Sequence, residues 1–341
     1  MTAQAGTRTR RNRLEDVARS AGVSKSIASR VLNGDPDLLV RPETRERVVR
    51  AARELNYRPH AAARGLKRAE TGALGLLVPP LTNPVYTRII RGAVERALER
   101  DFVVLLAEDV DPHQAEEAAG RLVQAGRVDG LIVASARPGH PLLPSLRRLR
   151  IPHVFVNRGV PRSGRNVVMD DARASALAVD HLVSLGHLRI GHVAGPRELD
   201  TARRRATAFR AHARALGLRA WVAEGDFGES GGAAAGRMLL ERRQGLTALY
   251  TSTISQAVGV FHAAWELGLS VPADLSVIAY DDIPLAEFLR PPLTTVRMPL
   301  AELGAAAVDA LLDQLLGGEP RDVTVDTEPE IVVRRSTGPP R

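Results

Sequence analysis

The stretch LEDVARSAGVSKSIASRVLN, from Leu14 to Asn33, decides how the first part of this chain folds. Apolar side chains recur at helical spacing on both sides of Ala21-Gly22-Val23, which predicts two short helices joined by a glycine turn. Ser24 is typical of a residue that caps the amino end of a helix. The pattern favours a helix-turn-helix that contacts nucleic acid, with an ordinary helical hairpin as the alternative.

Polar residues of the second predicted helix occupy faces that packing leaves free. In a helix-turn-helix the first residues of the second helix enter the major groove, so we expect Lys25 and Ser26 to contact base edges. Ser29 and Arg30, one turn further on, are expected to contact bases or phosphates. The full predicted DNA-binding surface of this helix consists of Ser24, Lys25, Ser26, Ser29, Arg30 and Asn33.

A third helix and a connecting segment follow. Pro42 suits the first position of this helix, which is predicted to end near Asn56-Tyr57. The segment RPHAAARGLKRAETG, from Arg58 to Gly72, contains an alanine run that Gly65 weakens, so it is marginal as an isolated helix. Two interpretations remain open for this segment: a linker, and a hinge that folds only on DNA.

The positive charge of the chain is concentrated at its amino end. The whole chain of 341 residues carries +8, whereas residues 1–68 contain 16 basic and 7 acidic residues and therefore carry +9. The remainder is close to neutral, at −1. A basic head on a neutral body is the electrostatic pattern of a nucleic-acid-binding module, because neutralised phosphates release counterions.

From Gly72 onward, short apolar runs alternate with amphipathic helical patterns. The predicted strands are Leu74 to Pro79, Val103 to Glu108, Gly130 to Ser135, His153 to Asn157, Ile190 to Gly195, Ala248 to Ser252 and Leu275 to Asp281. The predicted helices include Tyr86 to Arg100, Asp171 to Leu185, Thr201 to Leu216 and Ser255 to Leu267. This alternation predicts an α/β core of two doubly wound lobes with a ligand crevice at the carboxyl ends of the strands. Candidate residues at those ends are Asn83, Asn157, Asp170, Gly195 and Asp281.

The sequence argues against several other classes of protein. It has no cysteine, so disulfides and thiol chemistry are excluded. Phosphate-binding P-loops, dinucleotide fingerprints, nucleophile elbows and paired-histidine zinc motifs are all absent. We therefore expect no cofactor, no metal and no enzymatic activity, and structural roles for His187 and His192. An apolar signal or membrane-spanning run is also missing, so we expect a cytoplasmic, nucleoid-associated protein.

The chain resembles the LacI/GalR family of bacterial transcription regulators from about Leu14 to Ser336. The motifs that carry this resemblance are DVARSAGVSKSIASRVLNG, TRERVVRAARELNYRPHAAARGL, NPVY, VDGLIV, DHLVSLGHLRIGHVAGP, VPADLSVIAYDD and PPLTTVRMP. The resemblance implies a disordered basic tail at 1–12, an all-α headpiece at 13–58, a hinge helix at 59–71 and a periplasmic-binding-protein-like core at 72–336. Within the core, lobe 1 would cover about 72–158 and 298–323, and lobe 2 about 159–297 and 324–336.

The family likeness also implies how the chain works. It predicts a homodimer that binds a near-palindromic operator, most often as a repressor, under the control of a small molecule between the lobes. In the hinge, Leu66 would wedge into the minor groove beside DNA contacts from His60 and Ala61. The effector-binding positions that the likeness implies are Tyr86, Asn157, Thr201, Arg205, Phe227, Thr253, Asp281 and Met298. The alternative is a cytoplasmic small-molecule sensor or binding protein with only non-specific DNA affinity.

Several of these effector positions have a second interpretation. Arg205 would supply a fixed fork of donors, but the run Arg203-Arg204-Arg205 could instead be a solvated helix face. Asp281 could be a buried acceptor that joins the lobes rather than a ligand contact. Tyr86 and Phe227 could be ordinary core aromatics.

The chain departs from the family pattern at three places. Thr253-Ile254 stands where most members carry an Asn-Asp pair, and Met298 stands where glutamine is common. A cleft without those groups should bind polyols poorly, because unpaired sugar hydroxyls cost free energy. The loop from Asp35 to Arg41 is also longer than usual, and Arg41 replaces the usual helix cap, so the third helix could begin at a different residue.

Overall fold

The computed structural model divides the chain into two compact units, Met1–Gly72 and Ala73–Arg341. The residues described are 12–33, 35, 38–57, 71–111, 117, 120, 121, 123, 125–242 and 245–341. The predicted tail up to residue 11 and the predicted hinge contacts His60, Ala61 and Leu66 lie outside them.

The first unit contains three helices, which are α1 (Leu14–Ala21), α2 (Lys25–Leu32) and α3 (Pro42–Glu54). Gly22 ends α1 in the left-handed conformation, with φ at 62°, as a glycine permits. Val17, Ala28 and Val48, one from each helix, are buried in a shared apolar cluster. The third helix begins at Pro42, as the proline predicts, and the side chain of Arg41 makes no capping hydrogen bond. The two α1 and α2 helices and their turn therefore form as predicted.

The second unit contains two six-stranded sheets. The first sheet has the order β11-β5-β4-β3-β1-β2 and all of its pairings are parallel. Its strands are β1 (Ala73–Val78), β2 (Val103–Glu108), β3 (Gly130–Val133), β4 (His153–Val156), β5 (Asn166–Val168) and β11 (Val323–Thr324). The second sheet has the order β12-β10-β9-β8-β6-β7, in which only the β10–β12 pair is antiparallel. Its strands are β6 (Ile190–Ala194), β7 (Ala220–Glu224), β8 (Ala248–Thr251), β9 (Ser276–Tyr280), β10 (Thr294–Arg297) and β12 (Glu330–Val332).

Helices cover these sheets and connect their strands. In the first lobe they are α4 (Val85–Glu99), α5 (Leu142–Arg148) and α11 (Leu300–Leu315). In the second lobe they are α6 (Asp171–Ser184), α7 (Asp200–Ala215), α8 (Glu229–Glu241), α9 (Ile254–Glu266) and the short α10 (Leu285–Phe288). The two doubly wound lobes are those that the sequence pattern predicts. No helix in the described ranges is both long and apolar enough to span a membrane.

The chain passes between the lobes three times. It crosses after β5, after β10 and between β11 and β12, because each of these strands lies in a different sheet from the strand that follows. Strand β5 pairs with β4, so the first lobe continues to Val168 and the predicted boundary between residues 158 and 159 is wrong. The reason is that three residues, Asn-Val-Val, are too short a run to show which sheet they join.

Each lobe contains one pair of helices in very close contact. A Cβ atom on Gly92 of α4 would lie 1.9 Å from the carbonyl oxygen of Ala301 in α11. A Cβ atom on Gly259 of α9 would lie 2.0 Å from the carbonyl oxygen of Glu229 in α8. Glycine is therefore required at both crossings, since any side chain would push the helix backbones apart.

Candidate functional site

The predicted DNA-contacting residues lie on one capped helix. The Ser24 hydroxyl accepts a hydrogen bond of 3.2 Å from the amide of Ile27, which makes Ser24 the amino-terminal cap of α2. Ser24, Lys25 and Ser26 are exposed at this end of the helix. Ser29 and Arg30 are half-buried one turn later, and Asn33 is exposed at the carboxyl end. The structure thus places all six residues on a single short helix whose first turn is open to solvent.

Two of these residues form ion pairs within the headpiece. Lys25 Nζ donates to Glu15 on α1 at 2.7 Å, and the hydrogen bond and charge of Lys25 lower the pKa of the Glu15 carboxyl. Arg30 Nε donates to Asp35 at 2.6 Å. Exposed ion pairs are weak, so DNA phosphates or bases can replace these carboxylates.

At the other predicted site, a buried ionic cluster lies at the carboxyl ends of the second lobe's strands. Asp171 begins α6 and is 2% exposed. Its Oδ1 accepts hydrogen bonds from Arg205 Nε at 2.7 Å and from the Tyr280 hydroxyl at 2.6 Å. Arg205 also donates from Nη1 to the carbonyl of Ser252 and lies over the Tyr280 ring, with Cζ 3.4 Å from its centre. Arg205 is therefore held rigidly, with two of its three nitrogens hydrogen-bonded to the protein.

The three consecutive arginines of α7 have three different environments. Arg203 is exposed, Arg204 is half-buried and Arg205 is buried, so the solvated-face interpretation holds only for Arg203. Arg204 Nη2 donates to the carbonyl of Asn157 in the first lobe at 2.8 Å and lies 2.9 Å from Asp171 Oδ2. The sequence analysis did not single out Arg204 or Asp171 as a pair, although both lie at the start of long helices that follow strands. Arg204 joins the lobes at the first crossing.

Asp281 follows β9 and is the polar residue most available to a ligand in the second lobe. It is 2% exposed, it adopts a left-handed backbone with φ at 71°, and its Oδ1 has no hydrogen-bond partner among the described residues. Burial raises the pKa of this carboxyl to about 7, against the opposing charges of Arg205 and of Arg88 on α4. Strained backbone and an unpaired buried carboxyl together indicate a binding position. The expected neighbour Asp282 points elsewhere and pairs with Arg297 and Arg334.

On the first lobe, two predicted residues contact each other. Asn157 ends β4 in a left-handed conformation, with φ at 67°, and its side-chain amide donates to the Tyr86 hydroxyl at 3.4 Å. Tyr86 is in the first turn of α4 and is 2% exposed. Its ring packs in the main apolar cluster while its hydroxyl points to the crossing segment, so the core-aromatic interpretation describes its ring but not its hydroxyl.

The positions that depart from the family pattern are used by the fold itself. The Thr253 hydroxyl donates to the carbonyl of Phe227 at 2.8 Å and caps α9 by accepting from the Gln256 amide. Ile254 and Met298 are buried in apolar clusters. These three side chains therefore offer a ligand no free hydrogen-bonding group.

Phe227 and Thr201 occupy the same end of the second lobe. A Cβ atom on Gly195 would lie 2.1 Å from the Phe227 ring, which is half-buried and packs directly on the end of β6. Thr201 is buried on α7, one turn before Arg205. Gly195 is thus required for this ring position, because any larger residue would displace the aromatic side chain.

A cavity of about 190 Å³ opens beside these residues, between the two lobes. Its first-lobe wall comes from the segments after β3 and β4, and its second-lobe wall comes from the start of α7. The residues that line it include Arg137, Gly159, Val160, Asp200 and Arg203. None of the predicted effector residues is among the lining residues, so the cavity extends the junction beyond the predicted positions.

The histidines have structural roles, as expected. His187 hydrogen-bonds to Thr247, Ser276 and the carbonyl of Gly338, while His192 is fully buried and stacks on Tyr250 with ring centres 4.6 Å apart. Burial lowers the pKa of His192 to about 3. Over the described part of the chain, no three histidine, aspartate or glutamate side chains come together as a metal site.

Comparisons with known proteins agree with this architecture. A family model described as bacterial regulatory proteins of the lacI family matches residues 13–60, and a periplasmic binding protein-like domain matches residues 179–337. The ribose operon repressor of Escherichia coli (strain K12) is 34% identical over 307 residues, which cover 89% of this chain and 92% of that protein. The transcriptional repressor CytR of the same strain is 34% identical over 329 residues, 95% of this chain and 96% of that protein.

Solved structures of similar proteins contain both kinds of ligand. The lac repressor dimer bound to operator and the anti-inducer ONPF has a TM-score of 0.83 and 28% identity, and covers 96% of this chain and all of that chain. The complex of the transcriptional regulator CelR with cellobiose has a TM-score of 0.73 and 31% identity at the same coverage. With its helix-turn-helix, its two parallel-sheet lobes and these relatives, the chain belongs to the LacI family of bacterial transcription regulators.

Proposed function

We propose that this regulator is a homodimeric repressor that binds a near-palindromic operator and is controlled by a small molecule in the junction between its lobes. It would act in the cytoplasm, on the nucleoid, by binding rather than by catalysis. The observation that carries the proposal is the pairing of an exposed polar helix, α2, with a buried and unsatisfied acceptor, Asp281, at the strand ends of the core. Asp281, Arg205, Asn157, Tyr86, Thr201 and Phe227 are the proposed effector residues.

The effector of this chain should differ from a simple polyol. Thr253 is already hydrogen-bonded to the protein, and Ile254 and Met298 are apolar, so three positions of the junction cannot pair sugar hydroxyls. Each sugar hydroxyl buried there without a partner would weaken binding by roughly 1 to 3 kcal/mol. Relatives named for ribose and cellobiose therefore support the location of the site rather than the identity of its ligand.

Exposed apolar side chains support the homodimer. On the edge strand β2 and just after it, Val103, Leu106 and Val110 are 51%, 47% and 71% exposed. On the second lobe, Trp265 and Phe288 are 74% and 71% exposed. Apolar patches on both lobes are expected of a surface that a second copy of the chain covers, and edge strands are usually protected in some way.

DNA binding to specific and random duplexes, measured over a range of salt concentrations, tests the proposed function. A repressor must bind its operator far more tightly than random duplex at physiological salt, by roughly 10³-fold or more. Lys25→Ala should change the preferred base at one operator position, whereas Arg19→Ala, on the exposed side of α1, should leave base preference unchanged. A steep salt dependence without a specificity ratio would instead identify a sensor protein with non-specific DNA affinity.

The hinge is tested separately by Leu66→Ala. If Leu66 wedges between base pairs, the variant should lose specific binding and keep non-specific binding. An equal loss of both would contradict the wedge.

A further inference from the structure

Arg158 is a buried cation without a partner. It is 8% exposed, and its Nε is fully buried. Its guanidinium makes no hydrogen bond or ion pair with any described residue. Buried arginines are normally paired with a carboxylate or with several carbonyl oxygens, since an uncompensated buried charge is strongly destabilising. Arg158 therefore lacks a partner that physical chemistry requires.

The position of Arg158 in the chain places it in the junction between the lobes. It follows Asn157, whose carbonyl accepts from Arg204 of the second lobe at 2.8 Å. It precedes Gly159, whose amide donates to Asp200 of the second lobe at 3.0 Å. Residue 158 is thus bounded on both sides by hydrogen bonds that join the lobes, at the carboxyl end of β4, where doubly wound sheets bind ligands.

The carboxylates of this junction are already used. Asp171 pairs with Arg204 and Arg205. Asp200 lies within 3.0 Å of Arg203 and Arg204 and accepts from Gly159. No acidic residue of the described junction is left for Arg158, so its counter-charge must come from outside the chain.

We propose that Arg158 binds an anionic group of the effector, a phosphate or a carboxylate. Arginine suits this role because its planar fork matches the oxygens of either group with two parallel hydrogen bonds. The unpaired carboxyl of Asp281 lies on the other lobe and would accept from a hydroxyl or amine of the same molecule. The effector is then a small polar acid that bridges the lobes through two opposite charges. This inference rests on the proposed interlobe effector site.

Thermal unfolding of the full-length protein tests the proposal, with wild type, Arg158→Gln and the matched control Arg162→Gln. Arg162 is an exposed arginine of the same segment, so its variant removes the same charge without touching the junction. The probes are inorganic phosphate and sulfate, glucose 6-phosphate and ribose 5-phosphate, gluconate and galacturonate, and the neutral parents glucose, ribose and galactose, all at matched ionic strength. A ligand that binds only the folded protein raises its unfolding temperature by mass action.

Two results are expected. Without any probe, Arg158→Gln should unfold at a higher temperature than wild type, because the variant removes an uncompensated buried charge. At least one oxyanion should raise the unfolding temperature of wild type and of Arg162→Gln but not of Arg158→Gln. Comparing the phosphate and carboxylate arms identifies which acid group is bound.

Two other results would overturn the proposal. A lower unfolding temperature of Arg158→Gln without probe would show that Arg158 has a structural partner. Equal responses of wild type and Arg158→Gln to every oxyanion would show that Arg158 binds none of them. Operator binding of Arg158→Gln without probe should match wild type, so a failure of specific DNA binding in all three proteins would refute the proposed function and not the role of Arg158.

Discussion

The headpiece and the interlobe junction hold their functional side chains in opposite ways. In the headpiece, Lys25 and its partner Glu15 are both more than half exposed, and their ion pair can be exchanged for DNA. In the junction, Asp171 and Arg205 are almost completely buried and fixed by several hydrogen bonds. The difference shows that a surface that must yield to a partner uses weak pairs, whereas a surface that must transmit a change in geometry uses strong ones.

Removal of the central anion of the junction should have the largest effect. Asp171→Asn leaves Arg204 and Arg205 without their shared carboxylate, and breaking a buried pair of this kind costs about 3 to 5 kcal/mol. Urea unfolding followed by circular dichroism measures the loss. The adjacent Asp170→Asn is the control, because asparagine can still cap α6 through the Arg173 amide. An equal loss in both variants would contradict the central role of Asp171.

The unpaired carboxyl of Asp281 should have the next largest effect, in the opposite direction. Because burial raises its pKa to about 7, the folded protein loses stability as the pH rises from the ordinary pKa of an aspartate to about 7. Asp281→Asn removes this penalty, so it should stabilise the core by on the order of 2 kcal/mol at pH 8 and by almost nothing at pH 4. Thermal unfolding of both proteins across that range provides the measurement. A pH-independent difference would show that the carboxyl is not held in its neutral form.

A smaller effect is expected for the cap of the recognition helix. Ser24→Ala removes the hydroxyl that accepts from the Ile27 amide and should destabilise α2 by about 1 kcal/mol. Hydrogen exchange of the α2 amides in the full-length protein reports this loss, while the amides of the core sheets should be unchanged. Ser26→Ala, which alters an exposed serine in the same turn, should exchange like wild type. Slow exchange of α2 in both variants would show that the cap is not needed.

The smallest effect concerns the exposed pair of Lys25. Glu15→Gln frees Lys25 for DNA and should raise operator affinity by about two- to five-fold at low salt, with a smaller gain at high salt. Fluorescence anisotropy with a labelled operator measures the change. Glu54→Gln removes an exposed charge of the same unit that has no comparable pair with Lys25. The same gain in both variants would show that net charge, and not release of Lys25, is responsible.

Local sequence patterns predict the headpiece almost completely and the core only in part. The turn at Gly22, the cap at Ser24 and the start of α3 at Pro42 all depend on residues a few positions apart. The seven predicted core strands are present, because their apolar runs are long enough to be recognised. Strand β5 was assigned to the wrong lobe, since no local pattern shows which sheet a three-residue strand joins.

The polar junction was predicted least well, for a physical reason. Arg205 was recognised as a candidate, but its partner Asp171 lies 34 residues away in the chain and Tyr280 lies 109 residues from Asp171. Pairings over such distances follow from the fold rather than from spacing. Arg158 gave no signal at all, because burial of a charged side chain is visible only in the structure.

The three crossings between the lobes have a consequence for the synthesis of this protein. Helix α11 supplies Leu303 and Val308 to the apolar cluster that contains Leu74 and Ile89 of the first lobe. Because α11 lies near the end of the chain, the first lobe cannot complete its core until the ribosome has translated almost the whole message. The headpiece has all of its own core within residues 14–57 and can fold first. During translation, a DNA-binding unit can therefore form before the unit that regulates it is complete.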